Sequence, residues 1–297
     1  MLIPLPVGMF FVPLHVYIDE SGIHGGSKKC AVAGFAGGAK KVKMFEDSWK
    51  RLLCASRIPD HIGFHAKSFF KRSSCGKRYG IYADWSDAKA VDFIDSLKII
   101  MASNHLTPIG GAVTCDKFMQ ESNGLRRYLA GANYDVTHGK WVSTGSPNRP
   151  YFFVFHQVVL AGCKLADAAV VADFFFDRQD DFSGHALNLW NQLKRLNNKE
   201  YEAMGGISFY SRLERVCLQV ADLIAHCAYH ADSVTQEGTN PDLLYAIDTL
   251  FRRVRNPHLV NMDGIIDHVR NNPPRWLDDE NKKRERERKA KRSKPTA

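Results

Sequence analysis

The residues with the clearest potential for chemistry lie at the end of an apolar segment near the N-terminus. Residues 15–18 read His-Val-Tyr-Ile and lead directly into Asp19 and Glu20. A strand that is apolar on both sides is typical of the centre of a sheet covered on both faces. Two carboxylates at its end are costly to bury unless they are paired, hydrogen-bonded or bound to a cation. Because side chains alternate along a strand, we expect Asp19 and Glu20 to point to opposite faces, with Asp19 the stronger candidate.

A second apolar segment ends in the same way. Residues 168–176 predict a strand, and Asp177 follows its three consecutive phenylalanines. If this strand and the first are parallel neighbours, Asp19 and Asp177 meet at one rim of the sheet. The alternative is that either aspartate only forms a turn or caps a helix, which is common for Asp after a strand.

A third candidate is a polar stripe on a helix predicted at residues 213–231. At 100° per residue, Gln219, Asp222, His226 and His230 fall in one narrow sector, and the rest of the surface is apolar. This pattern is typical of a buried helix that presents one edge to a site, although a solvated edge of an ordinary amphipathic helix gives the same pattern. The spacing is compatible with metal ligands, and we rank both histidines below Asp222 because surface histidine stripes are commoner.

A fourth candidate is a basic and aromatic segment. Five Lys/Arg and no acid lie between Lys67 and Arg78, interleaved with aromatic residues. Phosphates attract cations and unstacked bases attract ring faces, so His65, Lys67, Lys71 and Arg72 are candidate ligands for a nucleic-acid backbone. The alternative is a solvated basic loop with its aromatic rings in the core and a hydrogen-bonded structural histidine.

The remaining periodicities predict the elements that must position these side chains. Strands are expected at 14–19, 30–35, 106–115, 168–176 and 207–210, the first two forming a hairpin. Helices are expected at 41–56, 86–102, 151–166, 183–198, 213–231, 240–254 and 263–270. Residues 130–150 predict a long loop. The pattern indicates an α/β fold with a mixed β-sheet flanked by helices.

Composition limits the possible classes of protein. A chain of 297 residues with 44% hydrophobic content can bury one large core. Of the formal charge of +9, a net +7 falls within residues 282–294, where nine Lys/Arg accompany two Glu. The basic character therefore belongs mainly to a tail, for which we expect disorder and at most a nonspecific, salt-sensitive contact with nucleic acid.

Cysteine usage and the N-terminus bear on location. The seven cysteines are widely spread and include no C-x-x-C pair, which argues against a disulfide framework and a structural zinc site and favours reduced thiols in a cytoplasmic protein. The first 18 residues carry no charge, but Pro4, Pro6 and Pro13 interrupt them. We therefore expect an N-terminal extension over residues 1–13 and no membrane partner.

Together these motifs resemble the DUF3800 family of microbial proteins. The likeness rests on residues 17–22 (Tyr-Ile-Asp-Glu-Ser-Gly), residues 64–66 (Phe-His-Ala), the strand ending in Asp177 and residues 218–223 (Leu-Gln-Val-Ala-Asp-Leu). It spans about residues 14–232 and implies an RNase H-like sheet in a domain of residues 14–235. A C-terminal helical extension over 236–277 and the basic tail over 278–297 lie outside it.

The resemblance implies a divalent-metal phosphodiesterase acting on DNA or RNA. Two Mg²⁺ or Mn²⁺ ions about 4 Å apart would activate water and stabilise the leaving oxygen. On this reading Asp19 bridges the ions, Asp177 and Asp222 flank them, and Glu20 is a fourth acid. Gln219 would orient a ligand or a phosphate, and His65 and Lys67 would contact the substrate. The helix-borne Glu of RNase H-like sites has no clear counterpart here, and Glu46 matches it only by position.

Two functions from different classes follow. One is a metal-dependent nuclease. The other is a catalytically silent RNase H-like module that binds nucleic acid or a protein partner through the basic segment and the tail. Generic α/β hydrolases and dinucleotide-binding enzymes are disfavoured because the sequence contains neither a G-x-S-x-G elbow nor a G-x-G-x-x-G turn after the strand.

Overall fold

A computed structural model describes residues 13–142, 148–166, 170–178, 180–196, 198–231, 240–252 and 259–277. Most of the predicted N-terminal extension, the domain boundary near residue 235 and the predicted disordered tail lie outside these residues. The predicted loop at 130–150 is described except for residues 143–147. It contains a short hairpin formed by Tyr134–Asp135 and Lys140–Trp141.

The described part of the chain forms an α/β fold around one mixed, six-stranded sheet. Its strands are β1 (Leu14–Ser21), β2 (Lys29–Gly38), β3 (Thr107–Thr114), β6 (Ala172–Asp177), β7 (Met204–Tyr210) and β8 (Leu259–Asn261), with β4 and β5 denoting the separate hairpin. The order across the sheet is β7-β6-β1-β2-β3-β8. The first strand is therefore interior, as its apolar sequence predicts.

The pairing direction changes at β1, and β8 at the far edge pairs with β3 in parallel. The strands β1, β2 and β3 form an antiparallel meander, whereas β6 pairs with β1 in parallel and β7 pairs with β6 in parallel. The last registered pair between β1 and β6 is Ile18 with Phe176. The carboxyl ends of β1, β6 and β7 therefore meet at one edge of the sheet.

Helices cover both faces of the sheet. They are α1 (Ala39–Ala55), α2 (Ala66–Phe70), α3 (Asp87–Ser103), α4 (Cys115–Gln120), α5 (Asn123–Leu129), α6 (Pro150–Leu165), α7 (Asp180–Arg195), α8 (Cys217–His230), α9 (Pro241–Ile247) and α10 (Met262–Asn271). The first face packs against α1, α3, α8 and α9. The second face packs against α5, α6, α7 and α10.

Alternation along β1 assigns its side chains to these two cores. Tyr17 packs in the core of the first face, whereas Val16 and Ile18 pack in the core of the second face. Strand β6 follows the same rule, because Phe175 packs against the first core and its neighbours Phe174 and Phe176 lie in the second. Asp19 lies two residues after Tyr17, and Asp177 lies two residues after Phe175. Both acids therefore lie on the first face.

Most predicted elements are observed, and the differences have local causes. Helix α8 begins at Cys217 rather than at residue 213, because residues 211–215 form a turn in which the Ser211 N–H donates to Glu214 Oε2 at 2.6 Å. Strand β8 was not predicted because three residues carry no readable alternation. The helix predicted to run to residue 254 is α-helical to Ile247 and continues as a π-turn over Asp248–Arg252.

Residues 240–252 and 259–277 are built into the same fold. Strand β8 extends the sheet at β3, and α9 packs against the first core beside α8. The predicted helical extension therefore contributes a sixth strand as well as helices. Among the described residues, none of the helices combines the length and the apolar character that crossing a membrane requires.

Candidate carboxylate site

Asp19 and Asp177 occupy equivalent positions at the ends of two adjacent parallel strands. Each follows directly after the last registered pair, Ile18 with Phe176, on the same face of the sheet. Adjacent strands are about 4.8 Å apart, so the two backbones approach closely at this edge. The apolar runs that bury β1 and β6 thus bring the two acids together.

Asp222 reaches the same edge from the helix that covers the first face. Helix α8 is apolar around most of its circumference and packs against β1 and β2. Asp222 lies on its polar stripe, and its Oδ2 accepts a hydrogen bond of 2.7 Å from the backbone N–H of Ala66. The predicted convergence of Asp19, Asp177 and Asp222 on one region is therefore present in the described structure.

The acids line one cavity of about 390 Å³, which we call the carboxylate cavity. Its walls include Asp19, Glu20, Asp177 and Asp222. The same cavity is bordered by Arg178, Arg212 and His65. A concentration of negative charge is thus surrounded by two guanidinium groups at the ends of β6 and β7.

Burial and mutual repulsion oppose ionisation of Asp19. The side chain is 6% exposed, and burial raises the pKa of Asp19 well above its usual range. The charges of three neighbouring acids raise it further, in the order Glu20, Asp222 and Asp177. The backbone N–H of Glu20 donates to Asp19 Oδ1 at 2.7 Å and favours the ionised form, but it does not offset these effects.

The pKa values of the other two aspartates are also raised. Burial raises the pKa of Asp222 to about 6, and the hydrogen bond from Ala66 and the charge of Arg212 limit that rise. Burial likewise raises the pKa of Asp177, against the backbone N–H of Arg178 and the charge of Arg212. A cation placed among the three would reverse the balance, because it favours the ionised form of each.

Glu20 lies on the opposite face from Asp19, as strand alternation predicts. Burial raises the pKa of Cys30 and of Tyr151, which both belong to the core of the second face, and the charge of Glu20 raises both further. Glu20 is 9% exposed and still borders the carboxylate cavity because it stands at the strand end. It therefore adds a fourth acid at the rim.

A tight loop fixes the position of the residues that precede α2. The Phe64 N–H donates to Gln219 Oε1 at 3.0 Å, and Gln219 Nε2 donates to the Arg212 carbonyl at 3.2 Å. Gly63 has a φ of +64°, and a Cβ there would lie 2.5 Å from Gln219 Nε2. Gln219 is 1% exposed, so it holds two loops against α8 and does not contact the cavity as the sequence suggested.

The donor set matches the preference of hard divalent cations. Mg²⁺ and Mn²⁺ bind carboxylate oxygens, and this cavity offers carboxylates with no thiolate among its lining residues. Within the described ranges, no three His, Cys, Asp or Glu side chains are already arranged around a single ion. The acids therefore fit the chemistry of such a cation, and binding one requires their side chains to turn towards it.

Comparisons with known proteins add no assignment. Neither models of protein families, nor curated proteins, nor solved structures match this chain. The site must therefore be interpreted from its own geometry.

The basic and aromatic segment has a mixed structure. Phe64, Phe69 and Phe70 are buried in the first core. The alternative that the aromatic rings of this segment lie in the core is therefore correct for these three residues. His65 borders the carboxylate cavity, with its Nδ1 2.9 Å from Ser68 Oγ, and burial lowers its pKa to about 4. Lys67 is exposed on α2.

Arg72 and Arg78 have structural partners. Arg72 Nη2 lies 2.7 Å from Asp87 Oδ1 and 2.5 Å from Asp242 Oδ2. Arg78 forms a buried ion pair with the same oxygen of Asp242 and donates to the Phe69 carbonyl at 3.1 Å. Arg72, a predicted substrate ligand, is thus engaged in anchoring the start of α9.

His226 and Glu46 lie apart from the carboxylate cavity and do not line it. The His226 ring stacks on Phe70 with centroids 5.4 Å apart, and burial lowers its pKa to about 3. The next histidine on the same stripe is His230, and its ring centroid lies 4.7 Å from that of His226. Glu46 on α1 forms an ion pair with Lys50 at 2.7 Å.

The sequence did not single out the two arginines of the cavity. Arg178 directly follows Asp177, and its guanidinium pairs with Glu214 at 3.2 Å. Arg212 lies in the turn after β7, which becomes part of the site only because β7 pairs with β6 in parallel. The signal was the position of each arginine within two residues of the end of a strand, and reading it required the strand order.

Proposed function

We propose that the protein is a divalent-metal-dependent nuclease with an RNase H-like architecture. The observation that carries this proposal is the convergence of Asp19, Asp177 and Asp222 on one cavity from two strand ends and a helix. Three acids in a partly buried space repel one another, and a bound cation is the usual way in which proteins stabilise such a cluster. The mixed sheet with an interior first strand is consistent with this architecture.

The three aspartates would hold Mg²⁺ or Mn²⁺, with Glu20 at the rim as a fourth acid. The chemistry that such an ion supplies is activation of a water molecule and stabilisation of the leaving oxygen in phosphodiester hydrolysis. Phosphodiesters are the substrate class that fits both the acids and the arginines of the same cavity.

Arg178 and Arg212 supply the complementary substrate contacts. Both border the carboxylate cavity, and a guanidinium group binds phosphate oxygens in a bidentate manner. His65 adds a ring whose Nδ1 lies 2.9 Å from Ser68 Oγ and whose Nε2 would contact a substrate oxygen. These residues bind and orient a phosphate beside the acids, which is the positioning part of catalysis.

A direct test incubates the 297-residue chain with Mg²⁺ or Mn²⁺ and with single-stranded and double-stranded DNA and RNA. We expect cleavage that requires the metal and that falls by at least about 100-fold in Asp19→Asn and in Asp222→Asn. Asp92→Asn is the matched control, because Asp92 is an exposed aspartate on α3. Cleavage that persists in both site variants would refute the assignment.

The alternative is a catalytically silent module that binds nucleic acid or a protein. It is favoured by one observation: among the described residues, no three acids are positioned to hold one metal ion together. The same experiment separates the two functions. Salt-sensitive binding without cleavage, unchanged in Asp19→Asn and Asp222→Asn, supports the module.

A further inference from the structure

A second cavity adjoins the carboxylate cavity. It has a volume of about 320 Å³ and is separated from the acids by His65 and Arg212, which border both spaces. Its size falls at the lower end of the range of small-ligand pockets, about 300–1,000 Å³. We call it the Tyr79 cavity, after the exposed aromatic residue in its wall. A phosphate held by Arg212 would stand at the junction of the two cavities.

The Tyr79 ring is presented to solvent in a way that the neighbouring rings are not. Tyr79 is 46% exposed, whereas Phe64, Phe69 and Phe70 in the same segment are at most 6% exposed. An exposed aromatic ring in a concave wall offers a face on which a flat ligand can stack. The ring therefore differs from its neighbours in being available to a ligand.

A lysine accompanies this ring. Lys71 Nζ lies 5.1 Å from the centroid of Tyr79, and both residues line the cavity. The ammonium group of Lys71 lies over one face of the Tyr79 ring. The opposite face of that ring remains for a flat apolar ligand. A ring face and a cation are elements with which proteins bind a base and its phosphate.

We propose that the Tyr79 cavity binds an unpaired nucleobase next to the phosphodiester held at the acids, so that the substrate is single-stranded nucleic acid. The inference rests on the proposed nuclease function and specifies its substrate. A base within a duplex is paired and stacked on its neighbours, and it enters such a cavity only when it is single-stranded or flipped out. Arg212 binds the phosphate that links the two positions.

The test measures binding in the absence of cleavage. Fluorescence anisotropy in EDTA compares labelled oligothymidylate and oligouridylate with a duplex of equal length. We expect the single strands to bind at least about tenfold more tightly than the duplex. Tyr79→Ala should weaken single-strand binding by about tenfold, the value of one base–aromatic stack, and Tyr79→Phe should stay within about twofold of wild type.

Lys71→Ala should reduce the slope of log K against log salt by about 0.7, the value for one phosphate contact on a single strand. The matched controls are Ile99→Ala and Lys98→Ala, two exposed residues on α3 remote in sequence from both cavities. All variants keep the basic tail, so its nonspecific contribution is common to them. The tighter of the two single strands distinguishes DNA from RNA.

The outcomes separate this inference from the proposed function. Equal affinity for duplex and single strand, no binding to either, or unchanged affinity in Tyr79→Ala would overturn the base site even if cleavage is observed. Tyr79-dependent binding of single strands without metal-dependent cleavage would support the base site and refute the nuclease.

Discussion

Asp19 and Asp177 stand side by side at the ends of two parallel strands, one position beyond the Ile18 and Phe176 pair. Their backbones are about 5 Å apart, and both side chains lie on the face covered by α8. Burial raises the pKa of both aspartates, and the charges of Arg212 and Arg178 lower that of Asp177 without offsetting the rise. Ionising both acids in this partly buried place is therefore a cost to folding, which a bound cation removes.

Removing the charge of the third aspartate, Asp222, should stabilise the metal-free protein. Asp222→Asn keeps a side-chain oxygen for the Ala66 N–H and removes an acid whose pKa is raised to about 6. We expect the free energy of unfolding in EDTA, measured by urea titration near pH 7.5, to rise by about 1–2 kcal/mol. In excess Mn²⁺ the order should invert, because the wild type gains stability from binding. A variant less stable than wild type in EDTA would argue against a folding cost from the buried, ionised carboxylate of Asp222.

The loop at Gly63 should tolerate no side chain. Gly63→Ala combines a φ of +64° with a Cβ 2.5 Å from Gln219 Nε2, so it should cost more than strain alone. Gly76→Ala is the matched control, since Gly76 has a φ of +78° and nothing within 4 Å. We expect about 1 kcal/mol for Gly76→Ala and about 3 kcal/mol for Gly63→Ala. Equal costs would contradict the packing of this loop on α8.

The ion pair between Arg78 and Asp242 should be the most sensitive polar contact outside the site. Both side chains are 2% exposed, and removing Asp242 leaves the buried Arg78 with an exposed carboxylate, that of Asp87 at 3.5 Å, in place of a buried one. Asp242→Asn should lower the free energy of unfolding by about 3–5 kcal/mol. Asp87→Asn, at the exposed end of the same network, should cost less than about 1 kcal/mol by the same chemical denaturation.

Acid pH should destabilise the fold through His156. Its ring is buried, with Nδ1 3.0 Å from the Leu129 carbonyl and Nε2 2.8 Å from the Tyr201 hydroxyl, and burial lowers its pKa. The unfolded chain therefore binds the proton more readily, and the stabilising effect is present above about pH 6.5 and lost as the pH falls below it. Between about pH 7.5 and about pH 5.5, the free energy of unfolding should fall less in His156→Gln than in wild type. An equal fall would rule out His156 as a contributor.

The sequence predicted the site better where the signal was local. Apolar runs that end in Asp19 and Asp177, and a helix with one polar stripe at Asp222, each reflect burial that a single element imposes on its own residues. From the sequence, the parallel pairing that makes the two strand ends neighbours could only be assumed, because strand order depends on contacts distant in sequence.

The residues that were missed or assigned differently depend on such distant contacts. Arg212 enters the site because β7 lies beside β6, and Gln219 turns from the cavity because the Phe64 N–H needs an acceptor. Arg72 is engaged by Asp242, a residue 170 positions away. Composition alone could not show that the basic segment divides into buried ion pairs and an exposed Tyr79 with Lys71.

The most direct test of the central claim is a titration of the metal-free protein with Mn²⁺, followed by electron paramagnetic resonance of the free ion. We expect saturable binding in the wild type and in Asp92→Asn, and at least about tenfold weaker binding in Asp19→Asn, Asp177→Asn and Asp222→Asn. Equal binding in all five proteins, or no binding in the wild type, would contradict a shared cation site at these three aspartates.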